Sequence, residues 1–285
     1  MLTEQRFTIE QGDIAALSIG EVTQADFSLL FIHGWLDNAA SFISLMSHLH
    51  RLAPTVHCCA IDLPGHGLSS HKAAGNYYPF HDYIDDIYQI VNILSPNRLV
   101  LVGHSLGALI ASCYSAAFPE QVSGLVQIEG FVPLSEAPEN HVERLRSGVL
   151  SRQRSRRKPK RGYPSLATAI AHRAQVNAIE QALIAPVVER GIQVIDQHWQ
   201  WRHDTKLNCD SLYRLTPDHA QVIREHITCP HQIILGDQGF ASIACDIERY
   251  GLLHAEIHHI SGGHHCHLEQ PSIVAERILG LVNKF

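Results

Sequence analysis

The 285-residue chain carries 22 Lys and Arg against 28 Asp and Glu, a net charge of −6 at pH 7, and 45% of its residues are hydrophobic. That balance gives no global attraction to nucleic acid or to an anionic membrane surface, and no apolar run approaches the roughly 20 residues that span a bilayer. The length suits one large core with an insertion, and the seven cysteines, odd in number and without a C-x-x-C pair, fit reduced thiols. Met1 to Arg6 leads into no apolar core of the signal-peptide kind. The expected setting is therefore cytoplasmic, as a monomer or homodimer, with a small-molecule substrate and no nucleic-acid or membrane partner.

In chain order, Arg6 to Glu10 and Ile14 to Ile19 flank Gly12-Asp13 and read as a hairpin. Phe27 to Ile32 is a continuous apolar strand that ends in His33-Gly34-Trp35-Leu36-Asp37-Asn38. Asn38 to Leu52 then places Phe42, Leu45, Met46 and Leu49 at helical spacing. A strand from Val56 to Ile61 contains the adjacent Cys58 and Cys59, read as core thiols, and closes in the Gly/Ser-rich loop Asp62 to His71. Phe80 to Leu94 repeats Ile84, Ile87, Val91 and Leu94 as a helix. Leu99 to Val102, Gly103-His104-Ser105-Leu106-Gly107 and the Ala/Leu-rich run up to Phe118-Pro119 follow, then a strand from Val122 to Ile128 closing at Glu129.

From Ser135 to about Leu215 the chain is polar and helical and no strand is evident. Within it, Arg144 to Arg161 holds nine of the 22 basic residues, and Trp199 to Asp204 sets aromatic surface beside charge. The strand rhythm resumes at Gln232 to Leu235. A helix over Ile243 to Tyr250, a strand over Ala255 to Ile260, the loop Gly262-Gly263-His264 and a helix over Ser272 to Phe285 complete the chain. Strands alternating with helices predict a mostly parallel central sheet covered on both faces. Residues 1–133 and 216–285 are the expected core, and residues 134–215 a helical cap.

The Gly103 to Gly107 run is a G-x-S-x-G between a buried strand and a helix, the setting in which a strained turn lifts a serine oxygen above a sheet. Ser105 is thus the candidate nucleophile, and a serine hydroxyl needs a base to act at neutral pH. His264, after the last strand and in a Gly-Gly loop, is the candidate base; His265 and His267 read as supporting or surface histidines. The oxyanion donors expected are the backbone N–H groups of Leu106 and Trp35.

His33-Gly34-Trp35, Asp62 to Ser69, Gly103 to Gly107, and Gly263-His264 with Glu269 and Pro271 occur in the order of the α/β-hydrolase fold, which this chain resembles nearly end to end. His33 to Phe42, Gly65 to His71 and His264 to His267 resemble its serine-hydrolase-like branch. The resemblance implies a Ser-His-acid triad and acyl transfer on a carboxylic ester or related carbonyl compound, without a cofactor. Two positions compete for the acid. Many members carry an Asp in a G-x-x-D pattern after the strand that follows the cap, but here that position is Gly239 and the nearest carboxylate is Asp237. Glu129, at the end of the strand after the elbow unit, is the favoured alternative, since a parallel strand's C-terminal end faces the active-site edge.

A metal site built on His258, His259, His264, His265 and His267 lacks a thiolate or carboxylate pattern to complete it. The basic run from Arg152 to Arg161 lacks interleaved aromatics and reads as a solvated face rather than a nucleic-acid surface. Rival functions on the same residues are a carbon–carbon bond hydrolase, a cofactor-free haloperoxidase and a non-catalytic ligand-binding protein.

Overall fold

A computed structural model describes residues 1–157 and 162–284. Residues 158–161 of the basic run and Phe285, the end of the expected last helix, lie outside the described residues. The core elements in chain order are β1 (Thr3–Ile9), β2 (Gly12–Ile19), β3 (Ser28–Ile32), α1 (Ile43–Leu52), β4 (His57–Ile61), α2 (Asp82–Leu94), β5 (Leu99–His104), α3 (Leu106–Ala117) and β6 (Val122–Ile128). Helices α4 (His141–Arg157), α5 (Leu166–Asn177) and α6 (Gln181–Gly191), with strands β7 (Ile192–Ile195) and β8 (His198–Trp201), form the insertion. After it come α7 (Pro217–Glu225), β9 (His231–Gly236), α8 (Ala241–Tyr250), β10 (Ala255–Ile260), α9 (Cys266–Glu269) and α10 (Pro271–Val282).

Eight strands make one sheet in the order β1-β2-β4-β3-β5-β6-β9-β10. The six from β4 to β10 run parallel, and the β1-β2 hairpin joins antiparallel at one edge. Alternation along each strand splits the core in two. Leu29, Phe31 and Cys58 pack on one face with α1 and α10, through Leu45, Met46, Leu49, Val274 and Ile278. Leu30, Ile32 and Cys59 pack on the other with α2 and α3, through Ile87, Ile90, Ile110 and Tyr114. Both cysteines are fully buried core thiols on opposite faces, as their adjacency requires. Burial of this kind on both faces explains the unbroken apolar runs of the parallel strands.

Two elements differ from expectation. The segment 135–215 contains the β7-β8 hairpin, paired Ile192 to Trp201 through Ile195 to His198. The helix expected from Asn38 starts as a 3-10 turn over Ala39–Phe42, which Asn38 caps by accepting the Ala40 N–H, and becomes α-helical only at Ile43. Among the described residues no helix is long and apolar enough to cross a membrane.

Candidate active site

Ser105 sits between β5 and α3 at φ 50°, ψ −116°, a conformation that costs a non-glycine residue on the order of 1–3 kcal/mol. Tight neighbours hold the turn there. A side chain at Gly107 would run into the carbonyl of Ile32 in β3, and one at Gly103 would run into the backbone of Gly107. The Ser105 N–H still donates to Ile128 O of β6 at 2.9 Å, so the turn stays fastened to the sheet while its side chain leaves it. Neither the Leu106 nor the Trp35 amide takes part in a hydrogen bond of the described residues.

The His33-Gly34-Trp35 turn is fixed by a buried imidazole. His33 Nδ1 donates to Gly34 O at 2.7 Å, so Nε2 is left to accept the Leu63 N–H at 2.9 Å. Trp35 itself is 51% exposed and its indole N–H donates to Leu207 O at 3.0 Å, which makes it a wall residue rather than a core aromatic.

Glu129 follows β6 with φ 51°, and its buried carboxylate meets His264, Nδ1 to Oε2 at 3.1 Å. Two further donors hold it, Gly236 N–H at 2.8 Å and Phe240 N–H at 3.1 Å. Phe240 stacks on the His264 ring at 3.9 Å. With Nδ1 turned to Glu129, Nε2 is the ring nitrogen left for a serine hydroxyl. Asp237 is exposed and accepts the Gly262 N–H at 3.0 Å instead. A side chain at Gly239 would occupy the space of the Glu129 carboxylate.

Sequence reasoning missed the layer beneath this pair. Asp37 is buried, with Arg173 of α5 donating to Oδ1 at 2.6 Å and His265 Nε2 donating to Oδ2 at 3.2 Å. Burial alone would raise the Asp37 carboxyl, but the His265 ring and the Arg173 guanidinium hold it well below the usual carboxylate range. His104 Nε2 donates to His264 O at 2.8 Å, and burial pushes its imidazole well below its usual value, with His267, His264 and His265 acting in the same direction. His265 and His267 are thus buried supports of the His264 loop, not surface groups. The five-histidine set does not come together as one group, since His258 turns to Glu256. The candidate metal ligands that do cluster among the described residues are Asp37, His104 and His265, whose donor atoms lie within 4.8 Å of one another. Arg173 already balances the charge of that carboxylate.

Above the elbow lies a cavity of about 710 Å³. The core lines it with Ser105, Leu106, Glu129 and Phe240, and the insertion with Leu207 and Arg214 among others. A positioned serine, an imidazole fixed by a carboxylate and a partly apolar cavity make the chemistry of a hydrolase accessible here.

That arrangement on this sheet defines an α/β hydrolase. Residues 28–176 match the α/β hydrolase fold family, and the chain belongs to it. A serine hydrolase-like protein of Danio rerio is 26% identical over 274 residues, covering 88% of this chain and 79% of that protein. A hypothetical protein of Pseudomonas aeruginosa PAO1 superposes with a TM-score of 0.88 at 29% identity, over 99% of both chains. The thioesterase domain from the curacin biosynthetic pathway shares the fold at a TM-score of 0.85 and 22% identity, over 98% of this chain and 99% of that one.

Proposed function

We propose that this hydrolase acts by acyl transfer on a carboxylic ester or related carbonyl substrate, with Ser105 as nucleophile, His264 as base and Glu129 as the acid. The observation that carries the reading is the 3.1 Å contact of His264 Nδ1 with a Glu129 carboxylate already held by two backbone amides. A carboxylate fixed in that way orients the imidazole and stabilises its cation without taking its proton.

In the first half-reaction His264 takes the Ser105 proton as Oγ attacks the carbonyl carbon. The Leu106 and Trp35 amides receive the oxyanion, a role supported by their lack of other acceptors. Collapse expels the leaving group, which takes the proton from His264. Water, deprotonated by His264, then attacks the acyl-serine, and Ser105 regains its proton as the acid departs. Residues 134–215 serve as the cap over this centre, and residues 1–133 and 216–285 as the catalytic core.

A fluorophosphonate probe followed by peptide mass spectrometry tests the reading. Label is expected on the Ser105 peptide and is lost in Ser105→Ala. An unlabelled wild-type protein that also leaves a panel of esters and thioesters intact would sink it.

A further inference from the structure

The charges around the cavity do not cancel. Four cations line it: Arg144, Arg152, Lys206 and Arg214. Arg144 is spent on Glu136, with Nε 3.0 Å from both carboxylate oxygens. Lys206 is spent on Asp204 at 3.2 Å and on the carbonyl oxygens of Ala73 and Asn76. Arg214 is half-buried and, among the described residues, has no hydrogen bond or ion pair. Arg152 lies over the Tyr77 ring at 3.8 Å, and its buried Nε has no acceptor.

The nearby acids favour the Arg214 cation only at a distance: Asp210 and Glu136 both raise its guanidinium, but neither bonds to it. Glu129 is held by His264, and Asp210 faces Arg154 at 3.8 Å. Asp246 lies on α8, where burial raises its carboxyl and Arg249 of the same helix lowers it. Burial, with Arg144 close by, lowers the Arg214 guanidinium by more than Glu136 and Asp210 raise it, yet arginine stays charged in proteins. A cation kept partly out of water with no acceptor in direct contact leaves charge-assisted donors open for something negative to join. Arg214 stands where the insertion returns to the core, one residue before Leu215, whose carbonyl accepts the Glu136 N–H at 2.9 Å, so its backbone is anchored.

We propose that the substrate carries a fixed negative charge, a carboxylate or phosphate, which Arg214 receives as a charge-assisted pair in the same cavity that holds the scissile carbonyl. Arg152 adds a second unsatisfied donor. This rests on the hydrolase reading of Ser105 and narrows it: neutral alkyl esters are poor substrates and anionic acyl esters or thioesters good ones.

The test compares two 4-nitrophenyl esters of similar length, the neutral pentanoate and the mono-anionic glutarate. Wild type is expected to favour the glutarate by about tenfold or more in kcat/KM. In Arg214→Gln that preference falls to within about threefold, through KM rather than kcat, and Arg214→Lys retains part of it. Thermal melts of both variants show whether the fold is kept. In a second arm, glutarate, inorganic phosphate or neutral glutaramide is added before the fluorophosphonate. Glutarate or phosphate slows Ser105 labelling in wild type and not in Arg214→Gln, and the stronger of the two names the anion. An enzyme that labels at Ser105 but separates neither the two esters nor glutarate from glutaramide overturns the subsite and leaves the hydrolase reading standing. A protein that neither labels nor cleaves overturns the hydrolase reading; the subsite is then decided by whether glutarate raises the melting temperature of wild type more than that of Arg214→Gln.

Discussion

Glu129 and Gly239 share one volume, because the glutamate carboxylate fills the space that any side chain at 239 would need. The Glu129 carboxylate reaches His264 from the end of β6 through space that the glycine after β9 leaves open. We expect Glu129→Gln to lower kcat by roughly 10³-fold or more, since the amide cannot stabilise the imidazolium and favours the wrong tautomer. Asp237→Asn should change kcat by less than about threefold, because that carboxylate serves only the Gly262 amide. Steady-state ester hydrolysis ranks the two, and the reverse order would return the acid role to Asp237. If the shared volume is the reason for the arrangement, Glu129→Ala with Gly239→Asp should recover part of the rate lost in Glu129→Ala alone. The glycines and motifs around Ser105 and His264 marked them in the sequence as the candidate nucleophile and base. The Glu129–His264 contact was less legible, because side-chain reach across neighbouring strands leaves no local pattern.

At the scale of elements, the insertion is riveted to the core by buried charge. Arg173 of α5 holds Asp37, and Arg190 of α6 holds Asp62, with Nε 3.0 Å from both of its oxygens. The second rivet matters for the loop beneath it, because the same Asp62 carboxylate accepts the Ala39 and Leu68 N–H groups, each at 2.7 Å. Arg173→Met would leave the 1%-exposed Asp37 side chain with His265 in place of its guanidinium partner and should cost about 3 kcal/mol in denaturant unfolding, as removing one partner of a buried pair does. A cost below about 1 kcal/mol would mean that His265 alone satisfies the carboxylate. These rivets were invisible in sequence, where Arg173 and Arg190 are ordinary helix residues. The β7-β8 hairpin was missed for a different reason. Its turn residues, Asp196 at φ 49° and Gln197 at φ 64°, both adopt left-handed backbone without the Gly that normally marks such a turn. Helix α7 was passed over as well, although its start carries a sequence signal: Thr216 accepts the His219 N–H as N-cap and Pro217 takes the first position.

Over the whole molecule, buried neutral histidines set the response to acid. Burial lowers His231 and His203 to about 4 and His267 to about 3, against about 6.5 when unfolded. Between pH 6.5 and 4 the unfolded chain binds the extra protons, so stability falls as pH falls through that window. Each pH unit removes about 1.4 kcal/mol per histidine once the unfolded form is charged. Asp86, raised to about 7 by burial, acts in the opposite sense over the same range and offsets one histidine. Urea unfolding at pH 7 and pH 5 should therefore show a drop of several kcal/mol; a flat profile would mean that these rings gain protons without unfolding. The overall architecture was legible because two-sided strands and amphipathic helices repeat over the full length. The contents of the segment between β6 and β9 were not, because α4 and α5 bury only two residues each and its strands span only four residues each.

The pairing of Glu129 with Gly239 also constrains how such chains diverge. Neither position drifts alone: enlarging residue 239 displaces the Glu129 carboxylate, and shortening residue 129 leaves a hole with two unanswered amides, those of Gly236 and Phe240. A lineage that moves its carboxylate from one strand end to the other must pass through a double exchange or through an inactive ancestor. Across relatives, glutamate at the first position and any side chain at the second should be mutually exclusive.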